Sequence, residues 1–355
     1  MNNSSTYCLI MAGGVGSRFW PLSTEENPKQ FLDILGTGKS LIQLTFDRFN
    51  QMVPEENIYV LTNLNYKNKV VQQLGINSEQ VLCEPQRKNT APCIAYATAK
   101  IHKKDANAVL LVSPADHLII NETQFFKDLN TGIEKAQSSN DLVTFGIKPN
   151  RPDTGYGYIE FDASEGSMNS VAKVKQFREK PDLSLAKSFI QQGNFYWNSG
   201  MFVWKSTTIM NSFKNHANAL YNIFFEDLKS YNTEMEDAFL KKAFTKCEDI
   251  SIDYAILEKD SNTSIVLSTF DWSDLGTWGS LKDLLEKDEN KNSKNNKEIY
   301  FFNSKDCLVK TNANKTTIID GLENYIIIDT DDKLMILKGE NEQQLKSYLK
   351  IINQK

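Results

Sequence analysis

Four short runs in the first half of the chain are apolar almost from end to end: YCLIM (7–11), NIYVLT (57–62), AVLLVSP (108–114) and LVTFGI (142–147). Between them lie segments whose apolar positions return at helical spacing, among them SLIQLTFDRFNQM and TAPCIAYATAKIHKK. A strand with no polar face must be covered on both sides, as parallel strands are in α/β sheets. The pattern predicts an α/β fold: a mostly parallel sheet flanked by helices.

From 151 to 210 the text turns rich in glycine and aromatics, with DTGYGYIEF, KQFREKPD and NFYWNSGMFVWK, and predicts strands and loops inserted beside that sheet. Trp197, Phe202 and Trp204 read there as core or pocket wall. EKDENKNSKNNK (286–297) offers almost nothing to bury and predicts an exposed polar linker. The runs IYFF, CLVK, TTIID, NYIIID and KLMIL follow it and predict a small β unit. Leu345, Tyr348, Leu349 and Ile352 stand at i, i+3, i+4 and i+7, the mark of a closing amphipathic helix. The expected division is a catalytic domain over 1–285, a linker over 286–297 and a small β domain with a terminal helix over 298–355.

Composition narrows the function classes. A chain of 355 residues has room for one large domain and a smaller one, since single cores stop growing near roughly 250–300 residues. The net charge of −5 supplies no broad positive field, which speaks against a nucleic-acid partner. The five cysteines are scattered and include no CxxC pair, so neither a disulfide framework nor a structural zinc site is expected. With no apolar run of about 18 residues and no signal-like start, the expectation is a cytoplasmic protein without a membrane partner.

Candidate chemistry concentrates in MAGGVGSRFWPLSTEENPKQFL (11–32). Gly13, Gly14 and Gly16 follow a predicted strand and leave several backbone N–H groups free to face one anion. A dinucleotide fingerprint would require glycine where Phe19 stands. GTGKS (36–40) resembles the end of a P-loop, but Asp33 occupies the position of that motif's first glycine. Arg18 and Lys29, on a loop broken by Pro21 and Pro28, add two cations suited to a triphosphate and to charge moving onto a departing pyrophosphate.

This stretch resembles the signature of the sugar-nucleotide pyrophosphorylases, specifically the mannose-1-phosphate guanylyltransferases. EPQRKNTAPCIAYA (84–97), LLVSPADHLI (110–119), TGYGYIEF (154–161), FREKPD (177–182), NSGMFVW (198–204), SIDYAILEK (251–259) and DWSDLGTWGSL (271–281) follow in that family's order. The resemblance implies a Rossmann-like fold of the nucleotide-diphospho-sugar transferase type. It implies reaction of GTP with mannose 1-phosphate, with a homodimer as the expected assembly. A sugar phosphate has a second pKa near roughly 6 and is already an oxyanion, so no nucleophile triad is needed.

By the same resemblance, Arg18, Lys29, Asp116 and Asp274 are catalytic, and Asp116 and Asp274 hold Mg²⁺. A two-aspartate site accepts Mn²⁺ on similar chemical grounds. His117 reads as a structural neighbour. Gly13, Gly14, Gly16, Pro85, Asn89 and Thr90 fall to the nucleotide, with Asn89 and Thr90 equally suited to cap a helix. Gly157, Glu179, Lys180, Asn198 and Gly200 fall to the sugar phosphate. Lys88 stands where the family usually shows arginine, and Arg87 where it often shows glycine, which bears on base preference. Segment 298–355 is too short for the cupin-type isomerase domain of longer members. Two other readings are a different sugar-1-phosphate nucleotidyltransferase, such as a glucose 1-phosphate thymidylyltransferase, and a catalytically silent sugar-nucleotide sensor.

Overall fold

The computed structural model describes residues 5–164, 170–312 and 315–352, so the ends of the expected 1–285 and 298–355 domains lie outside the described residues. It divides into two compact units, each gathered from separate stretches of chain. The first comprises Met1–Gly13, Thr45–Ala115 and Ile119–Trp272; the second comprises Gly14–Leu44, Asp116–Leu118 and Ser273–Lys355.

The first unit is built on a nine-stranded sheet. Its strands are β1 (Thr6–Met11), β2 (Ile58–Asn63), β3 (Val81–Glu84), β4 (Val109–Pro114), β5 (Leu142–Ile147), β6 (Tyr158–Phe161), β7 (Val171–Arg178), β8 (Phe195–Lys205) and β9 (Thr263–Ser268). Their spatial order is β3-β2-β1-β4-β8-β5-β9-β7-β6, with β8 also pairing β6. The four apolar runs become β1, β2, β4 and β5. Both faces are covered as the pattern required: in β1, Cys8 and Ile10 are buried as fully as Leu9. On one face, the helix Glu122–Ser138 brings Gly132 against the Phe145 ring so closely that an added Cβ would lie 2.6 Å from it.

The glycine- and aromatic-rich segment does not stand beside the sheet. It enters it: β8 runs antiparallel between β4 and β5. Alternate residues along this long strand point to opposite covered faces, and Trp197, Phe202 and Trp204 are all core. The sheet is therefore mixed, with parallel pairings among β3, β2, β1 and β4 and again between β5 and β9.

The second unit holds β10 (Ser293–Lys294), β11 (Ile299–Phe302), β12 (Leu308–Lys310), β13 (Thr317–Asp320), β14 (Tyr325–Asp329) and β15 (Leu334–Lys338). β10, β12 and β14 pair in parallel, as do β11 and β13, and β15 closes antiparallel on β14. Parallel pairing without intervening helices makes a short solenoid, the chain returning over its own previous pass. Ile299 beside Thr317, Lys305 beside Glu323 and Leu308 beside Ile326 share one constant offset.

The polar tract is not the free linker expected from its composition. Asn292 and Ser293 are buried. Asn292 Nδ2 donates to Ser304 O and its Oδ1 accepts from Cys307 N, both at 3.0 Å, while Asn295 makes the same double contact with the Thr311 backbone. Side-chain amides here satisfy main-chain groups that a sheet would otherwise pair. In the closing helix, Leu345–Ile352, Leu345 is buried and Leu349 packs against the core, whereas Tyr348 and Ile352 are exposed. That core joins Phe19, Ile34 and Leu41 to Trp278, Leu281, Leu308, Ile326, Ile328 and Leu337. The glycine-loop region is thus folded by residues from the far end of the sequence.

Candidate active site

In the second unit the site grows from Gly16. It takes φ 69°, and a Cβ there would lie 2.4 Å from Lys29 Cβ, so only glycine lets Lys29 approach. The Val15 carbonyl accepts from Lys29 N at 3.2 Å and from the Ser23 hydroxyl. Lys29 is buried at 3% exposure, and its ammonium lies 5.4 Å from the Phe19 ring centroid. It donates to Asp116 Oδ2 at 2.9 Å and to Asp274 O at 2.7 Å. One lysine therefore brings together both predicted aspartates.

Burial pushes the Asp116 carboxyl up, but Lys29 and then His117 outweigh it and hold the group below the usual carboxylate range. Asp116 is accordingly ionised at neutral pH. Arg18 lies on the same loop, and its Nε is buried without a hydrogen-bond partner among the described residues. A buried donor left open in this way is a place for an incoming acceptor.

Asp116 and Asp274 offer hard oxygen donors, and the Asp274 carboxylate is steadied by a bond accepted from Gly276 N at 2.9 Å. Among the described residues no group of three or more histidine, cysteine, aspartate or glutamate side chains could hold a metal ion. By donor chemistry two carboxylates suit a hard divalent cation that completes its shell with phosphate oxygens and water, and not a metal caged by protein alone.

In the first unit the predicted sugar-phosphate residues form a cluster. Gly157 O accepts from Asn198 N at 2.8 Å, and a Cβ on Gly157 would stand 2.5 Å from Glu179 Oε2. Glu179 pairs with Lys180, whose φ of 46° places a non-glycine residue in the left-handed region. Asn198 is less free than a hydroxyl reader would be, because its Oδ1 already accepts from Gly200 N at 3.1 Å. Its Nδ2 donates to Asp253 Oδ1 at 2.8 Å. The sequence reading passed over Asp253.

The predicted nucleotide residues divide in role. Asn89, at φ 65°, caps the helix Thr90–Lys104 through its own side chain, and Thr90 Oγ1 accepts from Ile252 N at 2.8 Å. Both side chains have structural work, as their cap-forming chemistry allowed. Pro85 follows β3 directly and is half-buried. The residue before it was missed: Glu84 ends β3 and is 7% exposed. A Cβ on Gly13 would lie 3.8 Å from its Oε1, and Arg87 donates to Gly13 O. Burial, opposed by Arg87, pushes its carboxyl up to about 8. The signal was available, since Glu84, like Asp116, sits where a parallel strand ends.

Residues 7–291 match the family described as Nucleotidyl transferase. The chain belongs to that family. It is 36% identical over 354 residues to a mannose-1-phosphate guanylyltransferase of Salmonella muenchen, covering 97% of this chain and 73% of that one. It is 34% identical over 352 residues to the alginate biosynthesis protein AlgA of Pseudomonas putida, covering 98% and 71%. A crystal structure from Thermus thermophilus, described as a mannose-1-phosphate geranyltransferase, superposes with a TM-score of 0.86 at 27% identity, covering 98% and 99%. Enzymes of the nucleotidyl transferase family generally use a divalent metal ion. No helix among the described residues is long and apolar enough to cross a membrane.

Proposed function

We propose that the chain is a mannose-1-phosphate guanylyltransferase, converting GTP and α-D-mannose 1-phosphate to GDP-mannose and pyrophosphate. A phosphate oxygen of the sugar forms a new bond to the α-phosphorus as the α–β bridging P–O bond breaks, and pyrophosphate leaves with that electron pair. The observation that carries the reading is the paired cations of the glycine loop: Lys29 locked onto Asp116 and Asp274, and Arg18 with a buried N–H still open. Fixed cations of this kind oppose charge developing on a leaving pyrophosphate without reorganising.

Asp116 and Asp274 would hold Mg²⁺ or Mn²⁺, which when bound neutralises phosphate charge and orients the reacting oxygens. Lys180 takes the sugar's phosphate, and Glu179 with Asn198 takes its hydroxyls. Guanine presents two donors, N1–H and N2–H₂, to a carboxylate, and Glu84 would accept both only once it has released the proton that burial makes it hold at neutral pH, a release that two such donors favour. A homodimer in the cytoplasm completes the reading, checked by light scattering of the purified chain and by cell fractionation.

The test is pyrophosphate release with Mg²⁺, crossing GTP, ATP, dTTP and UTP with mannose 1-phosphate and glucose 1-phosphate, beside Asp116→Ala. Release with GTP and mannose 1-phosphate, abolished in the variant, is the expected result. Preference for another pair would reassign base and sugar within the same reaction class. Tight GDP-mannose binding with no release from any pair would replace the enzyme by a sensor.

A further inference from the structure

Asp253 has no role in the chemistry above, yet three features mark it. It opens a π-helical turn, Asp253–Leu257, a rare geometry frequent at functional sites. Its Oδ1 receives the Asn198 carboxamide. It also faces Glu179 closely enough that burial and that second negative charge together push its carboxyl up to about 6, with Asn198 and Lys180 opposing. Holding two carboxylates toward each other costs folding free energy, so the arrangement needs a reason beyond stability.

The reason lies in Asn198. A backbone N–H can only donate, so the donation from Gly200 N fixes which end of the Asn198 carboxamide is oxygen. Thr144 Oγ1 lies 3.4 Å from the same oxygen. The nitrogen end is then aimed at Asp253, which engages one of its two hydrogens and leaves the second for a ligand. Without Asp253 the nitrogen end has no protein acceptor among the described residues, and only the contacts to the oxygen end, from Gly200 N and Thr144 Oγ1, hold the carboxamide.

We propose that Asp253 is a positioning residue for the sugar end of the substrate, holding Asn198 so that its remaining N–H presents to a pyranose hydroxyl beside the Glu179 carboxylate. The inference rests on the reading that Glu179 and Asn198 receive the sugar 1-phosphate.

The experiment measures KM for mannose 1-phosphate at saturating GTP, and for GTP at saturating mannose 1-phosphate, in the full chain. The variants are Asp253→Ala, Asp253→Asn, Asn198→Ala and the double variant Asn198→Ala/Asp253→Ala. Asp253→Ala should raise the sugar KM about tenfold, the order expected for one lost hydrogen bond, and leave the GTP KM unchanged. Asp253→Asn keeps an oxygen acceptor of the same shape and should return the sugar KM to within about threefold of wild type. The double variant should be no worse than Asn198→Ala, because both changes remove one device. An unchanged sugar KM in Asp253→Ala, a parallel rise in both KM values, or additive losses in the double variant would each overturn the proposal. Should Asp253→Ala fail to fold, a sugar KM for Asp253→Asn as poor as that of Asn198→Ala would overturn it equally. A wild-type chain that turns over no sugar 1-phosphate would instead overturn the underlying reading, and this inference with it.

Discussion

Lys29 is a buried cation whose charge is balanced by Asp116, and Lys29 in turn holds the Asp116 carboxyl below the usual carboxylate range. Lys29→Met keeps most of the stem but removes the charge; pyrophosphate release should fall by about 100- to 1,000-fold, as when a preorganised charge is taken from a transition state. Gly16→Ala acts on the same pair through space, because its Cβ would meet Lys29 Cβ in a backbone conformation that resists side chains. Thermal unfolding should show a loss of about 1–3 kcal/mol, accompanied by reduced turnover. Glu84 gives a pH signature. Between its ordinary value of 4.5 and its folded value of about 8, the folded chain holds a proton that the unfolded chain has released, so its contribution to stability falls as pH rises through that window. Melting of Glu84→Gln against wild type, followed from about pH 5 to about pH 9, should show the variant gaining steadily, by about 1–3 kcal/mol at the upper end. Lys29 could be singled out from its place behind glycines and prolines and Asp116 from its place at the end of an apolar strand, whereas Asp274 was marked only by the resemblance of DWSDLGTW. Glu84 and Asp253 were not, since what marks them is burial beside groups distant in sequence, and a glutamate before a proline looks the same on a surface.

At the scale of elements, β1, β2, β4 and β5 could be read because a strand covered on both faces leaves an uninterrupted apolar run. The helix Thr90–Lys104 could be read to within a residue of each end, as 91–103. β8 was legible as a strand but not in its place, for its pairing with β4 and β5 depends on partners far along the chain. The solenoid was hidden for a different reason. Its stacked positions pair Ile299 with Thr317 and Lys305 with Glu323, residues that share a place in the coil but no chemistry a repeat search would catch. Its polar tract looked idle because asparagine amides serve the backbone there in place of apolar burial. Asn292→Ala would leave Ser304 O and Cys307 N without their partner and should cost about 1–3 kcal/mol in urea unfolding, while Asn290→Ala, at an exposed position of the same tract, should cost little.

Over the whole molecule, neither unit is a continuous piece of sequence. Removing residues beyond 285 would not detach a lobe; it would strip Leu308, Ile326, Ile328, Met335, Leu337 and Leu345 from the core that also holds Phe19 and Trp278. A chain cut there should bind a hydrophobic dye, release no pyrophosphate and show no cooperative melting for the second unit, measured beside the full chain. The same feature sets an order of events during synthesis. The glycine loop leaves the ribosome well before the distant side chains that wrap Phe19, among them Trp278, Leu308 and Ile326. At about 5–20 residues per second, the loop waits many seconds in an unfinished state before Lys29 can find Asp274. A growing chain is thereby kept from fixing the Lys29 ammonium in place until the segment that carries Asp274 has been made.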